Sequence, residues 1–441
     1  MPDLSLPEKL IRWRRDFHRH PELGFCEYRT AARVAATLEA LGWGVTAGRE
    51  VMDPAVRMEL PPAAEIAAAR AEALRDDADP AWVARFEDGL TGVVGTLDSG
   101  RPGPVLAFRV DLDALPVVES DDGAAHAPAR EGFASIHSGR MHACGHDGHT
   151  AIGLGLATVL PALAPKLRGK IKLIFQPAEE GCRGAGSMVA AGVLDDVDHY
   201  VATHLGISAQ QTGLVACGVD GFLATTKLDG HFTGVAAHAG VAPHEGRNAL
   251  LAAATATVQL HAIARHGAGA SRVNVGLLSG GAARNIVADR ATLKLEVRGA
   301  TSAINAWMTV EAGRILRASA ELHGVQVRVE NMGSAGSAIC DTALKAAVRR
   351  AAARVPGIAQ VADTLPMGGS EDATLMMEAV QARGGEATYV LVGTPLPAGH
   401  HHPRFDIDEA ALSLAVDLHA TLAQELLGGT VDPGRLPPQK Q

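Results

Sequence analysis

Short apolar runs typical of β-strands alternate along much of this chain with segments whose apolar residues recur every three or four positions. The strand-like runs lie at 91–97, 104–110, 169–175, 198–203 and 387–393. Helical segments separate most of them, and this alternation predicts a mostly parallel sheet covered by helices. We therefore predict an α/β fold for the larger part of the chain.

A different order of elements occupies the middle of the chain. Residues 225–331 read as strand, helix, two hairpin strands, helix and strand, which is the ferredoxin-like β-α-β-β-α-β pattern. Such a unit can bury a core of its own, so we predict a small α+β domain inserted into the larger one. The predicted division places the larger domain at 1–219, with a partly helical insertion at about 50–90, and at 333–441, and the inserted domain at 220–332.

Charge and cysteine content exclude several classes of protein. Lys and Arg total 40 against 49 Asp and Glu, giving a net charge of −9, and the basic clusters that nucleic-acid binding requires are missing. We find no apolar stretch of the ~18 residues that would span a membrane. Five cysteines without a CxxC pair indicate reduced thiols, so we expect a cytoplasmic protein.

The segment MHACGHDGH at 141–149 is the densest group of potential metal ligands. It contains His142, Cys144, His146 and His149, three of the 19 histidines of the chain. On an extended backbone, residues 142, 144 and 146 point to one side, so a thiol and imidazoles can approach one metal ion. We expect a helix from residue 148, with Asp147 as its N-cap.

Other potential ligands lie just past the C-terminal ends of predicted strands. They are Asp111, Asp113, Glu179, Glu180, His204 and His401. Ligands of parallel sheets bind at the carboxyl ends of the strands, so we expect these side chains to converge. Of the adjacent pair Glu179 and Glu180, one can bind a metal while the other acts as a general base.

A mixed set of sulfur, nitrogen and carboxylate donors suits a hydrolytic zinc or manganese site. Such a metal polarises a carbonyl and lowers the pKa of bound water, while a nearby carboxylate relays the proton. A serine nucleophile is not supported, because the chain has no G-x-S-x-G motif. Which metal binds, and whether one ion or two, stays open.

A series of motifs resembles the M20 metallopeptidase family over nearly the whole chain. In order they are RDFHRHPELGFCEYRTA, RVDLDALP, MHACGHDGHTA, FQPAEEG, THLG, AAHAGVAPHEGRNAL and HHPRFDIDEA. The chain is most similar to the amidohydrolase branch, which hydrolyses N-acyl amino acids and auxin conjugates. The resemblance implies that the inserted domain is a lid and dimerisation domain.

The resemblance also implies roles for individual residues. The implied metal ligands are Cys144, which stands where many relatives have a bridging aspartate, His146, Glu180, His204 and His401, with His400 as the fallback for His401. Glu179 is implied to be the base that deprotonates the metal-bound water and then protonates the leaving amine. Asp111 and Asp113 occupy the family's H-x-D position without its histidine, so we expect them to orient a metal-binding histidine.

Further segments favour one substrate within this branch. GREV with the insertion after it, KLIFQPAEEGCRGA and GSEDATLMM resemble enzymes that split p-aminobenzoyl-glutamate, a folate breakdown product, into p-aminobenzoate and glutamate. His238 in AAHAG resembles a histidine that reaches the site of a neighbouring protomer and polarises the scissile carbonyl. Because carboxylates need fixed donors, we hypothesise that Asn274, Arg284 and His238 bind the amino-acid end.

Three other functions stay open at this point. The same chemistry could serve N-acyl amino acids or dipeptides more broadly. The chain could instead be one subunit, in a homodimer or in a heterodimer with a homologous chain that it needs for activity. A metal-storage or metal-sensing protein would favour a closed ligand shell without an adjacent base.

Overall fold

The computed structural model describes residues 4–428. The helices in this range are α1 (Leu6–Arg19), α2 (Tyr28–Ala40), α3 (Ala63–Arg75), α4 (Pro80–Val83), α5 (Ala127–Glu131), α6 (His146–Leu163), α7 (Ala185–Ala190), α8 (Ala249–His261), α9 (Ser302–Leu322), α10 (Thr342–Ala352), α11 (Ala373–Gln381) and α12 (Ala410–Leu427). The strands are β1 (Gly44–Ala47), β2 (Val93–Asp98), β3 (Val105–Asp111), β4 (Lys170–Gln176), β5 (His199–Leu205), β6 (Leu214–Ala216), β7 (Val219–Asp220), β8 (Ala224–Thr233), β9 (Ser271–Gly280), β10 (Arg290–Gly299), β11 (Gln326–Ala335), β12 (Gln360–Ala362), β13 (Leu365–Pro366) and β14 (Glu386–Val392).

An eight-stranded sheet forms the centre of the larger part of the chain, in the order β1-β2-β4-β3-β5-β14-β6-β12. Its middle strands β4, β3, β5 and β14 are parallel, which confirms the predicted α/β class. Strands β1, β2 and β6 pair antiparallel with their inner neighbours. The segment 99–104 is too short to cross over the sheet, so β2 and β3 must run in opposite directions.

Helix α6 lies in the core and packs closely because it contains glycine. A Cβ atom on Gly153 would come within 2.6 Å of the Phe175 ring, and one on Gly155 within 2.6 Å of Val416. The segment His146–Lys166 is long and apolar enough to cross a membrane by length and composition alone, but 61% of its 18-residue apolar window is buried inside the molecule. Its hydropathy is that of a core helix.

The start of α6 differs from the prediction. The helix begins at His146 and its N-cap is Gly145, whose φ of +95° is a conformation that glycine adopts without strain. Asp147 lies inside the helix, where its carboxylate accepts hydrogen bonds from Arg14 (2.9 Å) and His18 (2.8 Å). It is therefore not the N-cap, since the helix begins one residue earlier and the Asp147 carboxylate points to side chains of α1.

The insertion near 50–90 contains helices α3 and α4, with α3 packed against α2. The C-terminal end of α3 contacts the segment just before the cluster at 141–149, through Glu72 and the C-cap residue Asp76. Glu72 accepts a hydrogen bond from Arg140 at 2.6 Å, and Asp76 lies 2.9 Å from His137. These contacts of the insertion stabilise the segment that precedes the cluster.

A second, four-stranded sheet is formed by the middle of the chain, in the order β11-β8-β10-β9 with all pairs antiparallel. Helices α8 and α9 pack on it around a core of their own. The chain order of these elements is the predicted β-α-β-β-α-β. Strand β11 runs to Ala335, across the expected boundary at 332, and the expected division into domains stays a prediction.

Candidate metal centre and active site

The parallel strands of the large sheet end at one edge, and the candidate donors lie there. Asp111 is the last residue of β3, His204 is the last but one of β5, and Glu179 and Glu180 follow β4. His401 lies in the segment after β14. The convergence expected from sequence is present, although Asp111 and His204 lie inside their strands rather than beyond them.

Two histidines at this edge, His146 and His204, each bond a backbone carbonyl through Nδ1. His146 donates Nδ1–H to the Asp113 carbonyl at 2.8 Å, and His204 donates Nδ1–H to the Leu205 carbonyl at 2.8 Å. These bonds leave the Nε2 lone pair of each ring available. His204 Nε2 lies 3.6 Å from the Cys144 sulfur. Backbone carbonyls commonly orient metal-binding histidines in this way.

The candidate ligand atoms of Cys144, His146 and Glu180 lie within 4.8 Å of one another, although these residues come from separate segments. Inside this group the buried atoms His146 Nε2 and Glu180 Oε1 have no hydrogen-bond partner. Unpaired buried polar atoms are costly, and a bound cation would satisfy both. The donor set of thiol, imidazole and carboxylate therefore fits a divalent metal such as zinc or manganese.

The charges around the two rings shift their pKa values in opposite directions. Burial and the neighbouring rings of His149 and His400 hold the pKa of His204 well below its usual value. Burial opposes protonation of His146 too, but the charge of Asp111 and contacts with Asp113 and Cys144 outweigh it and raise its pKa. Surroundings that attract a proton this strongly would also attract a metal cation.

His400 and His401 both lie beside Cys144 but differ in what their rings already bind. His400 accepts the Ile207 N–H at Nε2 (3.1 Å), so its Nδ1 carries the proton that faces the Cys144 sulfur at 3.5 Å. His401 Nε2 is 3.4 Å from Glu180 Oε1, and contacts with Cys144 and Glu180 raise its pKa to about 10. Cys144, His204 and His400 also offer ligand atoms within 4.8 Å of one another, so the choice of His401 over His400 stays a prediction.

His149 lies among the donors but is fully bonded. Its Nδ1 contacts Asp111 at 2.6 Å, and its Nε2 accepts the Leu205 N–H at 2.9 Å. Asp111 also accepts a 2.7 Å bond from Arg109, which is completely buried. Asp111 thus orients His149 and is not free to bind a metal.

Asp113 holds the segment that carries the two glutamates. Its carboxylate accepts the backbone N–H groups of Glu179 and Glu180, each at 3.0 Å, while its carbonyl orients His146. Positive φ angles at Ala178 (+51°) and Cys182 (+63°) bend this segment sharply. Such angles cost energy in L-residues, so the surrounding hydrogen bonds must maintain them.

Glu179 and Glu180 point to different neighbours, as expected for adjacent residues on irregular backbone. Glu180 lies with Cys144 and His146, whereas Glu179 Oε2 approaches His146 Nε2 only to 4.0 Å. Burial, together with the charges of Glu371 and Glu180, raises the pKa of Glu179 well above its usual value. A raised pKa suits a carboxyl group that accepts a proton and passes it on.

The donors open into a cleft of about 440 Å³ between the two sheets. Cys144, Glu179, Glu180, His204 and His401 line one part of it. Residues without a role predicted from the sequence also line it, among them Thr225, Lys227, Arg298 and Glu371. Of these, Glu371 belongs to the segment GSEDATLMM, whose resemblance to p-aminobenzoyl-glutamate hydrolases was the only sequence feature that could have indicated a role for it.

The three residues expected at the amino-acid end lie elsewhere in the single chain. His238, Asn274 and Arg284 are all exposed, and none of them lines the cleft. His238 forms a β-bridge with Ile286, two residues after Arg284, so these two expected residues share one corner of the second sheet. Their contact with substrate stays a prediction.

Comparison with known proteins gives consistent matches over most of the chain. The family model described as peptidase family M20/M25/M40 matches residues 107–425. Indole-3-acetyl-aspartic acid hydrolase of Enterobacter agglomerans is 52% identical over 95% of both chains. One of the subunits of p-aminobenzoyl-glutamate hydrolase of Escherichia coli is 51% identical over 95% of this chain and 96% of its own.

Solved structures agree with the fold. The aminobenzoyl-glutamate utilization protein of Klebsiella pneumoniae is similar with a TM-score of 0.82, at 46% identity and 95% coverage of both chains. A Bacillus subtilis protein described as a dinuclear metal binding peptidase from the M20 family has a TM-score of 0.65, at 26% identity over 96% of this chain and 98% of its own.

Proposed function

The chain belongs to peptidase family M20/M25/M40, and from this premise we propose that it hydrolyses the amide bond of p-aminobenzoyl-glutamate to p-aminobenzoate and glutamate. It is a metallo-hydrolase of the amidohydrolase type. One observation carries the proposal: the ligand atoms of Cys144, Glu180 and His146, the last with an unpaired Nε2, lie within 4.8 Å of one another beside the cleft that Glu179 lines.

We assign metal binding to Cys144, His146, Glu180, His204 and His401. When bound, a divalent metal polarises the scissile carbonyl and lowers the pKa of a water molecule. The family includes dinuclear metal-binding peptidases. For this chain we propose zinc or manganese, as one or two ions per protomer, because its donors suit both metals.

The remaining steps belong to side chains of this protein. Glu179 takes a proton from the attacking water and delivers it to the amide nitrogen, so the carbon–nitrogen bond breaks with an amine as the leaving group. Asp113 positions Glu179 through its backbone. His238 of a neighbouring protomer hydrogen-bonds the carbonyl oxygen, and Asn274 and Arg284 bind the amino-acid end.

A second substrate is favoured by a specific observation. The relative at 52% identity is described as a hydrolase of indole-3-acetyl-aspartic acid, so an aromatic acyl-aspartate is the second candidate. Both candidates are amides between an aromatic acid and a dicarboxylic amino acid. Hydrolysis of other N-acyl amino acids or of dipeptides is the broader alternative.

We propose that residues 220–332 form the lid and the dimer interface of a cytoplasmic enzyme of folate catabolism. The Escherichia coli relative is described as one subunit of its hydrolase, which supports a dimer that includes a homologous chain, and a homodimer is the simpler assembly. Exposed apolar residues on α8, Leu251 and Val258, support an interface on this part of the chain.

The proposal is tested with purified protein loaded with Zn²⁺ or Mn²⁺ and assayed against p-aminobenzoyl-glutamate, indole-3-acetyl-aspartate and simple N-acetyl amino acids. We expect Glu179→Gln to lower kcat by about 10²–10⁴-fold, the usual contribution of a general base, with metal content unchanged. Exposed Glu321→Gln on α9 is the matched control and keeps full activity.

Two results would contradict parts of the proposal. Loss of bound metal in Glu179→Gln would make Glu179 a ligand rather than the base. Activity that appears only after a homologous chain is added would support the heteromeric assembly and reject the homodimer.

A further inference from the structure

Lys227 is a cation of the candidate active site that has no role in the chemistry described above. It lies on β8 of the second sheet, and its side chain lines the same cleft as Cys144, Glu180 and His204. It therefore belongs to the same protomer as the metal ligands, unlike the contribution proposed for His238 and Arg284.

The ammonium group of Lys227 is held in place but is not neutralised. Its Nζ donates a 2.8 Å hydrogen bond to the carbonyl of Gly181, the residue after Glu180. An ammonium group has three N–H donors, so two stay available. Within residues 4–428, Lys227 forms no ion pair with a carboxylate, since no acidic oxygen lies within 4.0 Å of Nζ.

The other cation of the cleft is already paired. Arg298, on the neighbouring strand β10, contacts both oxygens of Glu296, at 2.9 Å and 3.1 Å. This bidentate pair uses the face of the guanidinium that best binds a carboxylate. Lys227 is thus the cleft-lining cation among the described residues whose charge is left for a ligand.

The cleft around Lys227 is lined by the acidic residues Glu179, Glu180 and Glu371. Among these side chains, Lys227 supplies the opposite charge that a carboxylate on the substrate would bind. A lysine on its flexible stem can follow a carboxylate that sits one methylene nearer or farther, as in aspartate and glutamate.

We propose that Lys227 binds the side-chain carboxylate of the leaving amino acid, and so makes the site specific for amides of glutamate or aspartate. This inference rests on the proposed amidohydrolase function and deepens it. The carboxylate beside the scissile bond stays assigned to Arg284 and Asn274 of the neighbouring protomer. Lys227 acts as a specificity-determining residue and takes no part in proton transfer.

The test compares p-aminobenzoyl-glutamate with p-aminobenzoyl-glutamine, which differ only in the carboxylate that Lys227 would bind. We expect Lys227→Met to lower kcat/KM for the glutamate conjugate by about 100-fold and for the glutamine conjugate by less than about threefold, the usual difference for losing one charged hydrogen bond. Lys227→Arg should restore most of the preference for glutamate.

Lys294→Met is the matched control, since Lys294 lies on β10 of the same sheet, pairs with Asp229 at 3.2 Å and does not line the cleft. It should change neither rate. Calorimetric binding of free glutamate and glutamine to the metal-loaded protein gives a second readout, in which Lys227→Met should weaken only glutamate.

Equal losses on both conjugates, or unchanged glutamate binding in Lys227→Met, would overturn the role of Lys227 while leaving the amidohydrolase function intact. A wild-type protein that cleaves neither conjugate nor any N-acetyl amino acid would instead overturn the proposed function. Even then the binding experiment decides the role of Lys227, because it needs no catalysis.

Discussion

At the scale of single residues, the bonds that each imidazole already makes distinguish the histidines of this site. His149 has its two ring nitrogens bonded to Asp111 and Leu205, whereas His204 bonds a backbone carbonyl through Nδ1 and has Nε2 3.6 Å from the Cys144 sulfur. His400 accepts a backbone N–H at Nε2 and turns Nδ1–H toward the Cys144 sulfur. Their positions in the sequence do not separate these roles, since the difference lies in what packs against each ring.

This difference predicts unequal effects of two substitutions in the histidine run. His400→Ala should weaken metal binding by about 10- to 100-fold, the range found for outer partners of metal ligands, and His401→Ala should weaken it further. Competition with a chromophoric chelator measures both affinities. His402→Ala, a change at an exposed neighbour, is the control. If His400→Ala has the larger effect, His400 is the ligand.

At the scale of elements, helix α1 fixes where α6 begins. Arg14 and His18 of α1 both bond Asp147, the second residue of α6, at 2.9 Å and 2.8 Å. His18 also contacts Glu119 at 2.8 Å, so this buried ring sits between two carboxylates. Because His146 comes just before Asp147, the contact between α1 and α6 determines the position of His146, a candidate metal ligand.

The same contact predicts that stability depends on pH. Burial opposes protonation of His18, but its bonds to Asp147 and Glu119 outweigh burial and raise its pKa to about 9. A histidine whose folded-state pKa exceeds its unfolded value of about 6.5 stabilises the fold fully below about pH 6.5 and loses that contribution as pH rises through about 9. The contribution is on the order of 3 kcal/mol.

Urea unfolding of the metal-free protein between pH 6 and 9.5 measures this contribution. We expect the free energy of unfolding to fall across that interval in the wild type and to fall much less in His18→Gln. His261→Gln, at the exposed C-terminal end of α8, should behave as the wild type. Equal slopes in wild type and His18→Gln would show that His18 is neutral in the folded protein.

At the scale of the whole molecule, the two sheets contribute different residues to the proposed site. The large sheet carries the donors, and the second sheet presents Lys227 to the same cleft. Asn274 on strand β9, and His238 and Arg284 outside the strands, are exposed and do not line that cleft. Among residues 4–428, β9 pairs on one side only. An open strand edge beside the exposed apolar residues Leu277 and Leu278 favours contact with a second copy.

A complementation experiment tests whether the site is shared between protomers. Glu179→Gln and His238→Ala should each be nearly inactive alone, and a refolded equal mixture should recover about a quarter of the wild-type activity, because half the dimers are mixed and each holds one complete site. Differently tagged chains verify that mixed dimers form. Mixed dimers without recovered activity, or a fully active His238→Ala, would reject the shared site.

The sequence by itself determined which segments form helices and strands and which residue types can act as metal donors. Periodicity and spacing are local properties, so the alternating strands and helices, the ferredoxin-like order and the cluster around Cys144 could be recognised from neighbouring residues. The placement of Glu179 and Glu180 after β4 followed from the same local signals. The start of α6 did not, because Arg14, more than a hundred residues away, decides what Asp147 binds.

Only the tertiary structure decided which donor atoms are free and which cation faces them. The choice between His400 and His401 depends on contacts with Ile207, Cys144 and Glu180 across the molecule. Lys227 enters the cleft because two sheets built from different parts of the chain meet there. Such contacts join residues far apart in the chain, and no local pattern encodes them, since packing of the complete fold sets their distances and hydrogen bonds.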